Sequence, residues 1–541
     1  MSFEAFRDQA RRALRDVTAG RGVLVPVWRD YLLDTETPVA VFAKLREGAF
    51  AFLLESAPAG GETWARYTFL GTAPRGAWRL RDGLVEEWRP DRGWYGPRRP
   101  ADPLADLDAL LRRYTPVDVP ELGEFWSGAV GYFGYDVVRY IERLPYAPAR
   151  AAALAGVPDA LFVFTGALVI VDNLRAQARV VIAVPVDREA NDTALRRAYE
   201  EAEAEIATTM ARIRTPSRLR PLEFPANAQP AVGRSSYERE RFLDDVRRIK
   251  EYIVAGDAFQ VLLARRISVP HDFSSESLYR ALRVINPSPY MYHLVLDGVE
   301  IVGSSPELLV RVSRGRVTVR PIAGTRPRGH STEEDEALTR ELAADEKERA
   351  EHVMLVDLGR SDVGRIAKYG SVKVTELMAV ERYSHVLHLV SQVEGELRDG
   401  LTAMDAFRAT FPAGTMTGAP KVRAMEIIDE LEPERRGAYA GAVGYIGAGA
   451  QRMDLAITIR TCVIAGDTVS VQTGAGIVHD SVPEREWEET ENKAQALLTA
   501  IGCVRASREV RDTAHGARDT GVGRDASAQG HAAGARTSLG V

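Results

Sequence analysis

The chain has 541 residues, 45% of them hydrophobic, 8% aromatic and 27% charged, which excludes wholesale disorder and allows about three domains or one large mixed one. Seventy Lys and Arg against 76 Asp and Glu give a formal charge of -6, so no global cationic field exists to hold a polyanion and no nucleic-acid partner is expected. The two cysteines, Cys462 and Cys503, cannot build a disulfide framework or a Cys-rich metal site, which points to a reducing compartment and hence the cytoplasm.

At the N-terminus, MSFEAFRDQARRALRDV spaces Phe3, Phe6, Ala10 and Leu14 at helical intervals, and no signal-peptide block follows. Residues 20–185 carry short β-like runs, VLVPVW, VAVFAKL, AFAFLLES, RYTFLG and LFVFTGALVIV, separated by Gly, Pro and Asp turns. The longest apolar run, Ala160 to Val171, is broken by Thr165 and Gly166 and falls short of the ~20 residues a spanning helix needs, so it reads as buried strands and no membrane is expected. Residues 192–212 have helical composition, and the prolines of TPSRLRPLEFPANAQPAVGRSS predict a linker. From Ser236 to about Arg505 helical segments alternate with strand-like runs, and no repeat of solenoid period is visible. The division is therefore a sheet-rich region over 1–190, a helix and Pro-rich linker over 191–235, a region bearing most chemical motifs over 236–505, and a disordered tail over 506–541, poor in large apolar residues.

Four carboxylates stand out. In DEKERAEHVMLVDLGR, Glu348 and Glu351 are three apart on one helical face, and in EREWEETENKAQALL, Glu486 and Glu489 repeat the spacing, with Thr490 and Lys493 beyond them. Two such faces repel unless a cation lies between them, and oxygen donors with few His and no Cys suit a hard ion, Mg²⁺, whose shell a substrate carboxylate or phosphate completes. Two Gly-rich loops, PIAGTRPRG and QTGAGIV, offer main-chain N–H groups to an anion, but neither is a nucleotide-binding motif. Arg460, in the apolar stretch DLAITIRT, predicts a strand-centre guanidinium with an anionic partner, which favours a small carboxylate ligand.

Together with LLES, RYTFLG, GDAFQVLLARR, NPSPYMY, GSSPELLV, YSHVLHLVSQV, FPAGTMTGAPK, GAVGYIG and GAGIVHDSVPEREWEETENKA, these strings resemble the chorismate-utilising enzymes, and within them the component I family of anthranilate synthases, from about Val23 to Val504. The resemblance implies an α+β fold of two facing antiparallel β-sheets with helices packed outside. It implies amine attack at C2 of chorismate with departure of the C4 hydroxyl, then loss of pyruvate to give anthranilate. By motif position Glu351 and Glu489 are the Mg²⁺ ligands, with Glu348 and Glu486 supporting them through metal-bound water. Glu307 is the general acid for the departing hydroxyl and His388, rather than His385, the active-site His of the second step. Gly324, Thr325, Tyr439, Arg460, Gly474, Ala475, Gly476 and Lys493 form the chorismate site.

The same resemblance places a tryptophan effector site at Glu55, Ser56, Pro289, Tyr290, Met291, Val443 and Tyr445, with Tyr292 where relatives often have Phe. It separates branches too. Gln260 stands where water-adding enzymes carry a Lys base, and Ala323 where aminodeoxychorismate synthases carry a Lys nucleophile, so direct use of ammonia is expected. The alternatives are aminodeoxychorismate synthase component I and a non-catalytic tryptophan-sensing subunit. Neither cysteine lies in a Gly-flanked elbow, so a separate glutaminase subunit is expected to supply ammonia, in a heterotetramer of two of each.

Overall fold

The computed structural model describes residues 1–17, 21–56, 66–144, 156–225, 227–383 and 386–516. Two large, mostly antiparallel sheets of 13 and 12 strands face one another, with helices on their outer faces, the α+β arrangement expected. Each sheet is assembled from both ends of the chain. In the first, strands from residues 22–186 meet those from 234–477 along a single ladder, Phe50–Glu55 against Tyr290–Leu296. In the second the join is Gly128–Phe133 against Ala442–Gly447.

Burial on both faces shapes the strand sequences. In Phe50–Glu55 only Leu54 is less than fully buried: Ala51 and Leu53 lie under the outer helices, while Phe50 and Phe52 pack between the sheets with Tyr132, Leu294, Ile301 and Val443. A strand covered on both sides reads as a continuous apolar run rather than an alternation. The run at 160–171 is two strands, Ala160–Phe164 and Ala167–Asp172, which belong to different sheets, and Thr165–Gly166 is the corner between them.

The N-terminal helix Phe3–Asp16, capped by Ser2, buries Phe3, Phe6, Ala10 and Leu14, as the periodicity predicts. VAVFAKL departs from its β-like reading. It forms the helix Pro38–Leu45, because Thr37 caps the first turn and Pro38 supplies a preset first helical position. The helix Asp192–Ile213 is followed by residues 214–233, in which the described residues form neither helix nor strand. The last helix, Pro483–Gly516, continues past Ala506, where composition predicts an irregular tail; residues 517–541 of that tail lie outside the described residues. Among the described residues no helix is long and apolar enough to cross a membrane.

Candidate active site

The chain crosses from one sheet to the other between Ser305 and Leu308, and crosses back between Ile457 and Thr461. The two corners touch: the Ser304 N–H donates to the Arg460 carbonyl at 3.1 Å, and the Ile457 N–H to the Glu307 carbonyl at 3.0 Å. Glu307 lies on one corner and Arg460 on the other. Arg460 is thus not at a strand centre. The apolar residues around it belong to two strands, Met453–Ile457 and Thr461–Ala465, and Arg460 occupies the bend between them at φ +48°, a left-handed conformation that costs a bulky residue about 1–3 kcal/mol and is found preferentially at functional sites.

Glu307 is 7% exposed, and its Oε1 accepts the Thr415 hydroxyl at 3.0 Å. Burial pushes its carboxyl up to about 8, outweighing the opposing effects of Thr415, the Ile322 N–H, Arg460 and Lys493, so it holds its proton at neutral pH. Burial also lowers Arg460, and the groups that favour its charge are Glu307 and Tyr383. A ligand carboxylate here would meet a desolvated guanidinium.

His388 lies in the strand Val386–Glu396, its Nδ1 3.0 Å from the Gly324 carbonyl and its ring edge-on to Tyr383. Burial pushes it down to about 4, leaving a neutral imidazole. His385 lies outside the described residues. PIAGTRPRG is not a free loop: Ile322–Pro327 is a strand paired with the His388 strand, Thr325 opposite His388, with a register shift at Gly324. Gly324 has φ +64°, and a Cβ there would sit 3.1 Å from Glu348 Oε2, so the irregularity lets the strand pass close to a carboxylate.

Glu348 and Glu351 project from the helix Glu346–Gly364, and Glu486 and Glu489 from the last helix. Burial raises Glu351, and the charges of Glu348 and Glu489 raise it further; Glu486 is raised by burial and by Glu489. The two acidic faces therefore lie close enough for their charges to act on one another. Individual partners temper them: Gln260 Nε2 donates to Glu351 at 3.1 Å, Arg326 to Glu348 at 3.3 Å, and Lys493 pairs with Glu489 at 2.6 Å. No three His, Cys, Asp or Glu among the described residues converge into a ready cage. The donors present, carboxylate oxygens from two helices, are of the type a hard ion such as Mg²⁺ takes, one or two at a time, with ligand oxygen and water completing its shell.

All of QTGAGIV except Val478 also lies inside a strand, Thr468–Ile477, rather than in a loop. Its glycines serve close approach: a Cβ at Gly474 would lie 3.0 Å from the Tyr439 hydroxyl, and one at Gly476 would lie 2.5 Å from Gln260 Nε2. Lys493 donates to the Gly474 carbonyl at 3.1 Å, and Ala475 turns its methyl into the outer core beside Trp487. Tyr439 is 7% exposed, and Glu489 is among the charges that bear on its hydroxyl.

A separate cavity of about 690 Å³ opens between the sheets, lined by Glu55, Ser56, Pro289, Tyr290, Met291, Val443 and Tyr445. Two of these do not present their side chains to it. The Glu55 carboxylate accepts from Tyr279 and Arg283 of the outer helix Ser275–Ile285, and Met291 packs in the core on that same outer side. The inner wall includes Phe69, and Tyr445 stacks on Phe125 at 4.2 Å between centroids. Arg311 and Asp454, paired at 2.7 Å, also line the cavity, and Arg311 donates to the Tyr290 hydroxyl at 3.2 Å. Tyr292, the departure from the usual Phe, shares a hydrogen with Thr461 at 2.6 Å, next to Arg460.

Sequence reasoning missed Thr415 as a neighbour of Glu307, Tyr383 of His388 and Arg326 of Glu348, and missed Gln260 as the partner of Glu351. None of the four has a spacing that distinguishes it from an ordinary turn or strand residue; Thr415 lies within the quoted FPAGTMTGAPK but carries no titratable group to draw the eye.

Residues 89–499 match the family described as chorismate binding enzyme. Anthranilate synthase component 1 of Aquifex aeolicus (strain VF5) is 46% identical over 489 residues, covering 90% of this chain and 96% of the relative. That of Pseudomonas putida is 47% identical over 489 residues, covering 88% and 95%. The crystal structure of anthranilate synthase component I from Streptococcus pneumoniae TIGR4 matches with a TM-score of 0.70 at 35% identity, over 86% of this chain and 99% of that one.

Proposed function

The chain belongs to the chorismate-binding enzymes and, within them, to anthranilate synthase component I, and from that premise we propose that it converts chorismate and ammonia into anthranilate, pyruvate and water, the first step of tryptophan biosynthesis. The observation that carries the reading is a buried carboxyl, Glu307, whose burial raises its pKa, on a corner that touches the corner bearing the partly buried guanidinium of Arg460. Hydroxide is a poor leaving group. A placed acid contributes about 10² to 10⁴ in rate, and in this reading Glu307 gives its proton to the C4 hydroxyl as ammonia bonds to C2. Arg460, with Tyr439, Gly324, Thr325 and the 474–476 strand, holds the substrate carboxylates. Neutral His388 accepts a proton when C2 loses hydrogen, pyruvate departs and the ring becomes aromatic.

Glu351 and Glu489 are the direct Mg²⁺ ligands in this reading, with Glu348 and Glu486 behind them through water. When bound, the ion anchors the ring carboxylate and neutralises the acidic cleft. Ala323 carries no amine for covalent attack on the ring, which favours this reaction over that of aminodeoxychorismate synthase. Intact Glu307, His388 and carboxylates likewise favour an enzyme over a silent sensing subunit.

Ammonia comes from a glutaminase partner, component II, in an assembly of two copies of each. Burial pushes the Cys462 thiol up to about 12, the opposite of an activated nucleophile, which supports a separate glutaminase. The cavity between the sheets is the tryptophan effector site. It lies at the seam where residues of both chain halves meet, and its lining residue Leu308 directly follows Glu307.

Purified chain supplied with chorismate, ammonium salt and Mg²⁺ should release anthranilate, read by its fluorescence, in the cytoplasmic pH range. Accumulation of 4-amino-4-deoxychorismate without anthranilate would reject the assignment, and no turnover at all would favour the sensing subunit.

A further inference from the structure

The helix Glu346–Gly364 carries two of the four carboxylates, so its rotation about its own axis decides where they point. Most of its packing is apolar: Leu355 and Val356 are buried, and Gly359 lies over Val319 and Val393. Such contacts are non-directional and do not by themselves fix a rotation. Directional contacts do: toward its C-terminal end Lys421 Nζ donates to Asp362 at 2.7 Å, and beside Glu351 a wholly buried contact holds the turn that bears the carboxylates. His352, adjacent to Glu351 and wholly buried, has Nε2 2.6 Å from Oγ of Ser391, itself wholly buried in the His388 strand.

The Ser391 oxygen is held in turn. It accepts the main-chain N–H of Met378 at 2.9 Å. Met378 has φ +53°, in a strand whose pairing shifts register between Glu376 and Ala379, so a bulge releases this N–H from the ladder and aims it at the hydroxyl. His352 Nε2 and the Ser391 hydroxyl share one hydrogen across this contact, and Nδ1, also buried, makes no hydrogen bond among the described residues, so the ring is held by this contact alone.

We propose that the chain from the Met378 N–H through Ser391 to His352 is a positioning device that sets the rotation of the helical turn bearing Glu351 and so its reach toward Glu489. His352 and Ser391 touch no reacting atom; they act through Glu351. The inference rests on the Mg²⁺ reading above. Loss of a supporting hydrogen bond around a metal site typically weakens metal binding about 10-fold to 100-fold.

The test is calorimetric titration of the free chain with Mg²⁺, together with the Mg²⁺ concentration for half-maximal turnover. Ser391→Ala should weaken both about 10-fold, while Ser391→Thr, which keeps the hydroxyl, should restore them. His352→Gln, which keeps an acceptor, is the second variant and should lie between wild type and Ser391→Ala. Phe6→Ala, in the distant N-terminal helix, should lower Tm without changing either Mg²⁺ value. Wild-type Mg²⁺ values in both Ser391→Ala and His352→Gln would overturn the device and leave the metal reading standing, as would an equal loss in Phe6→Ala. If the wild-type chain bound no Mg²⁺ and needed none for turnover, the metal reading would fall and the device with it.

Discussion

At Glu307 burial outweighs a hydroxyl, a main-chain N–H and two cations, all of which favour the charged form. The consequence for catalysis is an alkaline limb. With ammonia held at a fixed free-base concentration, kcat/KM for chorismate should be flat near neutrality and fall above a pH of about 8 as Glu307 loses its proton. Glu307→Gln should lower kcat by about 10² to 10⁴ and abolish that limb; a limb that persists in the variant would assign it to another group. Stability follows the same sign. The folded state keeps this proton at pH values where the unfolded chain has released it, so Glu307 makes folding less favourable as pH rises from the ordinary carboxylate range to about 8. Glu307→Gln should therefore narrow the difference in denaturant midpoint between pH 5 and pH 8. His388, pushed down to about 4, contributes no charge change near neutrality, so no acidic limb near pH 6 should trace to it.

Among elements, the helix Lys421–Leu431 ends in a buried ion pair that reaches the site. Glu432 and Arg436 are 3% and 1% exposed; Glu432 also accepts the Ala264 N–H, and Arg436 donates to the carbonyls of Leu262 and Met416. The pair thus clamps the Gln260–Pro270 strand to the turn that carries Thr415, the partner of Glu307. Glu432→Gln leaves a buried guanidinium without its carboxylate and should cost about 3–5 kcal/mol, read from urea midpoints. The sequence shows why such an element escapes notice: Glu and Arg four apart look like any surface helical pair. The acidic helices were legible because three-residue spacing in strongly helical stretches has one geometric meaning. The glycine segments were not, since glycine marks both turns and close approaches, and only the neighbouring strand distinguishes them. Gly476 is the sharper case. Gly476→Ala puts a methyl where Gln260 Nε2 lies, and the amide must swing away from Glu351. About 10-fold weaker Mg²⁺ dependence of turnover, with an unchanged Tm, is expected; unchanged Mg²⁺ dependence would show that Gln260 does not support Glu351.

For the whole molecule, the decisive feature is that both sheets are sewn from the two ends of the chain, and composition could not reveal it. Hydrophobic runs locate strands but not their partners, so the sequence divides at the Pro-rich linker while the hydrogen-bonded ladders run across that division. The cavity proposed for the effector lies on the seam. Ser56 follows the Phe50–Glu55 strand from the N-terminal side; Tyr290 and Met291 come from its partner strand, and Val443 and Tyr445 from the facing sheet. A ligand here touches both halves and can favour one arrangement of them, but it inhibits only if that arrangement binds chorismate less well, since equal affinity for two states shifts nothing. The Leu308–Ser313 strand, which begins beside Glu307 and lends Arg311 to the cavity wall, gives that difference a short physical route. Ser56→Phe fills the N-terminal side of the seam without touching the cleft. It should raise the tryptophan concentration for half-inhibition at least about 10-fold, the size of a typical coupling of 1–3 kcal/mol, with kcat/KM for chorismate within about twofold of wild type. Retained inhibition with wild-type sensitivity would move the effector out of this cavity, and a matching loss of turnover would mean that the seam serves catalysis directly rather than through a shift of conformation.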